Sequence, residues 1–263
     1  MQVGVTHLVD SKMPIARFLE EAAAAGYEVV ELAIRREGEI TTRTRDPELK
    51  RIVAHAEKLG LKIVSLCHLH LTGNLLQSGD VQAKGIEETE AGLRVAATMG
   101  VRCTLHTMGR LSPELFYDVA YRNGVESLRQ LAPTAERLGV AIAYEFVWSG
   151  FLFSPLEMKR FLDEVGSDAI GFYFDPGNMA VFQFPQHWAR ITGPHIKMVH
   201  MKDWTGNALN GSWPPLLQGN VDFAAINREL RAAGYDGPMI SEVPITTAPL
   251  KDTDVAIRKI IAM

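Results

Sequence analysis

Residues 196–204, IKMVHMKDW, form an apolar run that ends in an imidazole, His200, with Lys202 and Asp203 directly behind it. Three other runs in the C-terminal half close the same way. AIAYEFV delivers Glu145, IGFYFDPGN delivers Asp175, and PMISEVP delivers Glu242. A short, continuous apolar run bounded by polar residues reads as a buried strand, and an acid or imidazole at its end is costly unless something compensates it.

Working outward, the same unit recurs along the whole chain. Strand-like runs at 3–6, 29–34, 62–68, 102–106, 140–147, 170–175, 197–200 and 239–243 alternate with amphipathic stretches at 13–25, 47–59, 85–99, 124–138, 155–165 and 223–233. Each amphipathic stretch is followed by a glycine (Gly26, Gly60, Gly100, Gly139, Gly166, Gly234), the residue that ends helices in the left-handed conformation. Pro47 and Pro155 suit first helical turns, and Asp46 is placed to cap the second helix. About eight strand–helix repeats without a linker or composition shift predict one α/β domain over 1–263, a parallel sheet closed into a (β/α)8 TIM barrel. An open doubly wound sheet fits less well, because no G-x-G-x-x-G follows the first strand.

Composition narrows the function classes. The 263 residues are 47% hydrophobic, enough for a large core, and the formal net charge of -4 argues against a nucleic-acid surface. No apolar stretch approaches the roughly 18 residues of a membrane span, and the N-terminus has no signal-peptide pattern. The two cysteines, Cys67 and Cys103, lie inside strand-like runs and read as reduced thiols, so the expectation is a cytoplasmic protein, a monomer or a simple homo-oligomer.

In a closed barrel the C-terminal strand ends converge on one mouth, where chemistry is found. Glu145, Asp175, His200 and Glu242 therefore face one another across it, joined by His68 and His106 from the third and fourth strands. Singly, each acid or imidazole reads more readily as a loop cap or a satisfied core residue. Four at four strand ends point instead to one divalent ion. A mixed oxygen/nitrogen set without thiolate suits Mn²⁺ or Mg²⁺ ahead of Zn²⁺ or Co²⁺. DPGN also reads as a plain turn, which would aim Asp175 at the metal and let Asn178 reach into the mouth. Lys202 and Asp203 are either loop charges or substrate contacts. Trp148, Phe151, Phe153, Trp204 and Trp213 are candidate walls, and the Trp148, Phe151, Phe153 loop hints at a substrate with an apolar part.

These residues carry a resemblance. YEVVELAI, AYEFV, FDPGN, VHMKD, LQGNVDF and GYDGPMISEV occur along the full length in the order found in the xylose-isomerase-like TIM barrels, the sugar phosphate isomerase/epimerase or AP endonuclease family 2 superfamily. The resemblance implies that Glu145, Asp175, His200 and Glu242 ligate the metal. It also implies that Glu145 and Glu242 exchange protons with a small carbohydrate on opposite faces through an enediolate, with His68, His106, Asn178, Lys202, Asp203 and Trp148 around the substrate. The chain departs from the free-ketose epimerases of this group. Where they show H-x-x-E-x-x-R it has His200, Asp203 and Gly206, and it has Asn178 in place of a histidine and WSGFLF in place of a loop glutamate. H-x-K-D is closer to the inosose dehydratases. A lyase or dehydratase is therefore the rival to the isomerase or epimerase, and a metal-free sugar-binding barrel is the third reading. DNA cleavage is disfavoured by the small histidine set and the charge.

Overall fold

The computed structural model describes residues 1–263 and contains a closed eight-stranded parallel barrel wrapped by helices. In chain order the elements are β1 (Val3–Thr6), α1 (Ile15–Ala25), β2 (Val29–Ile34), α2 (Asp46–Lys58), β3 (Lys62–His68), α3 (Gly79–Thr98), β4 (Cys103–His106), α4 (Tyr117–Leu138), β5 (Ala141–Glu145), α5 (Pro155–Val165) and β6 (Ile170–Phe174). Then follow α6 (Pro176–Ala180), α7 (Pro185–Thr192), β7 (Ile196–Met201), the hairpin β8 (Thr205–Asn207) and β9 (Asn210–Ser212), α8 (Phe223–Ala232), β10 (Met239–Ser241) and α9 (Leu250–Ile261). Around the barrel the order is β1-β10-β7-β6-β5-β4-β3-β2, so β10 closes the sheet against β1.

The eight predicted strands are all present. The Gly positions predicted to end helices have φ between 65° and 104° in the left-handed region, where glycine carries no Cβ penalty. Several predicted boundaries move. α2 begins with Asp46 as its first residue and Arg45 as its cap, and α3 and α4 begin earlier, at Gly79 and Tyr117. The sequence reading did not pick out α6, α7, α9 or the β8–β9 hairpin.

Period-two alternation divides each strand between two cores. In β5, Ile142 and Tyr144 pack outward against the helices, while Ala143 joins an inner core with Cys67, Cys103, Leu105, Tyr173 and Met198. The outer layer is held by large apolar groups such as Trp188, fully buried between Phe146 and Phe172 at centroid distances of 5.1 and 5.9 Å. Cutting such a side chain to alanine costs about 3–5 kcal/mol. Both cysteines are free and buried. No helix is long and apolar enough to cross a membrane.

Candidate metal centre

Glu145 is the last residue of β5, Asp175 follows β6, His200 lies in β7 and Glu242 follows β10. These four strands are consecutive in the barrel. Each residue has the parity of the inner core, two on from Ala143, Tyr173, Met198 and Ile240 respectively. One ligand atom from each of the four lies within 4.8 Å of all the others.

His200 is held at the centre. It donates its Nε2–H to Glu31 Oε1 at 3.0 Å, and its Nδ1 lies 3.2 Å from Glu145 Oε1 and 3.1 Å from Glu242 Oε2. Glu31 is fully buried and also accepts hydrogen bonds from Thr6 Oγ1 (2.8 Å), Ser65 Oγ (2.7 Å) and Tyr173 OH (2.6 Å). Burial alone would raise its pKa, but His200 and these hydroxyls outweigh burial and lower it, so Glu31 acts as a pure acceptor. One proton of His200 is thereby fixed on Nε2, and Nδ1 is turned toward Glu145 and Glu242. This is the arrangement by which an outer carboxylate orients a metal-ligating imidazole. Glu31 is the site residue that the sequence reading missed. Its signal was a lone acid within the apolar run VVELAI.

The donor atoms fit a cation. Asp175 Oδ1 caps α6 by accepting from Gly177 N (2.9 Å) and Asn178 N (3.2 Å), which leaves the buried Oδ2 to the site. Lys202 Nζ meets Asp175 Oδ2 at 2.8 Å and Glu242 Oε2 at 2.7 Å as an ion pair. Four carboxylates (Glu31, Glu145, Asp175, Glu242) outnumber the two cationic groups among them, Lys202 and His200, whose imidazole Glu31 and Glu242 hold well above its ordinary value against its desolvation. Unmatched buried charge is expensive, and a divalent ion between the carboxylates and Nδ1 would remove most of it.

The two glutamates are electrostatically unequal. Burial, the largest influence, drives Glu145 up to about 7, with Glu242 adding repulsion. Glu242 is partly exposed, and although desolvation acts on it too, Lys202 and His200 pull it well below the usual carboxylate range. Lys202 is held above its ordinary value because Asp175 and Glu242 overcome its desolvation. Asn178 reaches this pair as expected, with Nδ2 at 3.4 Å from Glu145 Oε1 and 3.0 Å from Phe146 O. DPGN turns out to be the cap and first turn of α6. Trp148, half exposed, stacks on Trp213 at 5.3 Å and donates to Asn178 O at 3.1 Å, and Trp213 lies 5.6 Å from Lys202 Nζ. Together they roof this part of the mouth.

Other expectations need correction. Cys67 and Leu105 belong to the inner core, so His68 and His106, one residue on, turn away from the acid cluster toward α3, with His68 still lining a cavity over the loops that follow β3, β4 and β5. His106 bonds Thr89 Oγ1 at 3.0 Å and accepts from Met108 N at 2.7 Å, and a Cβ at Gly92 of α3 would sit 2.7 Å from the His68 ring. Asp203 is buried with its carboxylate occupied by the backbone amides of Trp204 (2.8 Å), Gly219 (2.8 Å) and Val221 (3.2 Å), which makes it a clamp of its own loop at the edge of the cavity that holds Lys202 and Glu242. Phe151 is fully buried against Phe161, and Phe153 packs on Phe146, so neither greets a substrate.

A parallel barrel with an acidic, histidine-centred cation site on four adjacent strand ends is the class defined by this fold and geometry. Residues 19–262 match the family of xylose isomerase-like TIM barrels, and the chain belongs to that family. No curated protein matches it in sequence. Among solved structures it is similar to D-psicose 3-epimerase with D-tagatose from Clostridium cellulolyticum H10 (15% identity, 99% of each chain, TM-score 0.82). It is likewise similar to 3-keto-D-glucoside 4-epimerase, YcjR, from E. coli (17%, 100% of each, 0.79). A third similar structure is the IOLI protein with a binding zinc atom (17%, 100% of this chain and 98% of that one, 0.82). At such identities the likeness shows the fold.

Proposed function

We propose that the protein is a divalent-metal-dependent sugar isomerase or epimerase acting on a sugar or keto-sugar, with Glu145 and Glu242 as paired acid and base. The observation that carries this reading is the convergence of one ligand atom each from Glu145, Asp175, His200 and Glu242 to within 4.8 Å of one another. These four would hold the ion, Mn²⁺ ahead of Mg²⁺, Co²⁺ or Zn²⁺ given three hard oxygens and one nitrogen. When bound it supplies Lewis acidity that polarises a carbonyl and its neighbouring hydroxyl.

The chain's own groups do the rest. Glu145 and Glu242 stand at the two ends of the four-strand row, so one carboxylate removes the acidified C–H proton and the other returns a proton on the opposite face through an enediolate. Asn178 holds Glu145 in place, and the Lys202 ammonium offsets negative charge growing on the substrate oxygens. The similar structures support this reading, since two of them are named as epimerases of a ketose and of a keto-glucoside. Lys202 also favours a second reading. An ammonium beside the acid pair is placed to protonate a leaving β-oxygen, which would make the enzyme a lyase.

Glu145→Gln and Glu242→Gln should each lower kcat by about 10²–10⁴-fold while the melting temperature holds, and activity that survives either change sinks the two-glutamate scheme. Metal analysis of protein purified without chelator should find one divalent ion per chain. Incubation with keto-sugars in D₂O separates the readings. Deuterium gained at carbon without loss of water marks an isomerase or epimerase, and an unsaturated or dicarbonyl product marks a lyase.

A further inference from the structure

The mouth has a second compartment that the proposed chemistry does not use. Trp148 lines two cavities. One, of about 590 Å³, contains Lys202 and Glu242. The other, of about 940 Å³, lies over the loops that follow β3, β4 and β5. That volume is at the upper end of the roughly 300–1,000 Å³ typical of small-molecule sites, more room than a bare monosaccharide occupies. Its charge is the reverse of the metal centre's. Arg36 and Arg110 both line it, and no Asp or Glu does.

The walls are fixed in advance. Arg36 is pinned over the β3 loop by Nη2 to Leu71 O (2.9 Å) and a longer contact of Nε with His70 O (3.4 Å), which leaves the rest of the guanidinium open. Glu88, just behind the wall, has its carboxylate occupied by Thr72 N (2.7 Å), Thr72 Oγ1 (2.5 Å) and Gly73 N (2.9 Å). Asn74 Nδ2 donates to Arg110 O at 2.8 Å, and Leu75 N to Met108 O at 2.8 Å, which locks the β3 and β4 loops together. Gly109 makes this approach possible. Its φ is 132°, and a Cβ there would lie 2.0 Å from Asn74 Oδ1. In the neighbouring cavity, which shares Arg36 and Thr72, the buried Nη2 of Arg35 has no hydrogen-bond partner.

We infer that this compartment binds an oxyanionic group carried by the substrate away from its reacting carbons, a phosphate or carboxylate held by Arg36 and Arg110. The enzyme would thus take an acidic derivative of a sugar in preference to the neutral sugar. The planar guanidinium of Arg36, already pinned, and that of Arg110 beside it suit such oxygens, and hydrogen bonds to charged groups are the stronger kind. The inference rests on the sugar-isomerase reading for the remainder of the substrate.

The test is calorimetric titration of the metal-loaded protein with D-fructose 6-phosphate, D-fructuronate and D-fructose, beside the Arg36→Ala/Arg110→Ala double variant. At least one acid should bind about tenfold or more tightly than D-fructose. The double variant should bring the two within about threefold while neutral-sugar binding stays unchanged. Which acid gains shows whether phosphate or carboxylate is preferred. Equal binding of all three, or a preference that outlives both arginines, overturns the inference. Glu242→Gln, titrated in parallel, keeps the readings apart. An acid preference without deuterium exchange in the wild type condemns the isomerase reading alone, and exchange into neutral sugars without any preference condemns the arginine compartment alone.

Discussion

Two clusters of titratable side chains sit at C-terminal strand ends, and they have opposite fates. On β5, β6, β7 and β10, Glu145, Asp175, His200 and Glu242 point into the barrel and crowd within 4.8 Å of one another. On and after β3 and β4, the His68 ring lies 5.2 Å from that of His70 and 5.4 Å from that of His106, turned away from the acid cluster toward α3. The first cluster carries unmatched negative charge. In the second, burial depresses all three imidazoles below their ordinary value. Parity accounts for the difference. A strand-end residue joins the acid cluster only if it falls an even number of positions from an inward side chain, and one step either way turns it from the metal centre. A strand end is therefore not enough to make a site.

The comparison breaks most dramatically at Glu31, which ties His200 to three hydroxyls. Glu31→Leu leaves Thr6, Ser65, Tyr173 and the His200 Nε2–H without an acceptor in a dry interior. Stability should fall by about 3–5 kcal/mol in urea titration. Glu31→Gln keeps the shape but weakens the orienting bond, so the protein should fold while its metal affinity drops about 10–100-fold. A Glu31→Leu protein as stable as the wild type would show that the inner cluster does not depend on this anchor.

The imidazole side is sharpened by pH. His106 is depressed to about 3 by burial, with His70 a smaller influence, while in the unfolded chain it titrates near the ordinary imidazole value of 6.5. Between these values the unfolded state binds the proton and the folded state does not. Stability from this residue is therefore fully present above about 6.5 and is lost as pH falls toward 3, with a slope of at most about 1.4 kcal/mol per pH unit. His106→Gln should flatten that part of the curve of unfolding free energy against pH. An unchanged acid limb would mean that other groups set it.

Much of the fold was legible because buried parallel strands are continuous apolar runs and the glycines that stop helices must take positive φ. Glu145, Asp175, His200 and Glu242 were legible for the same reason, as charges at the ends of such runs. Parity was not, because VSLCH is apolar or small at nearly every position and nothing local says whether Cys67 or His68 faces inward. Glu31 escaped because one acid inside VVELAI looks like an interruption until Tyr173, Ser65 and Thr6 arrive from three other strands. The arginine compartment is assembled from loops, whose approach depends on Gly109 and on contacts between residues such as Asn74 and Arg110, 36 positions apart.

The smallest effect tests neighbours in sequence that the fold sends apart. Lys202 reaches Asp175 and Glu242, whereas Asp203 turns back into its own loop and accepts from three amides. A Cβ at Gly219 would lie 2.2 Å from Asp203 Oδ1, so the loop is built around this carboxylate. Asp203→Ala leaves those amides short of an acceptor and should cost about 1–3 kcal/mol in thermal or urea unfolding. Proteolysis within residues 204–221 should become faster, while bound metal stays at wild-type stoichiometry. Asp203→Asn, which keeps one side-chain acceptor, should recover part of the loss. If Asp203→Ala instead empties the metal centre with stability intact, the Asp203 carboxylate belongs to the charged half of the mouth, and the division drawn between Lys202 and Asp203 is wrong.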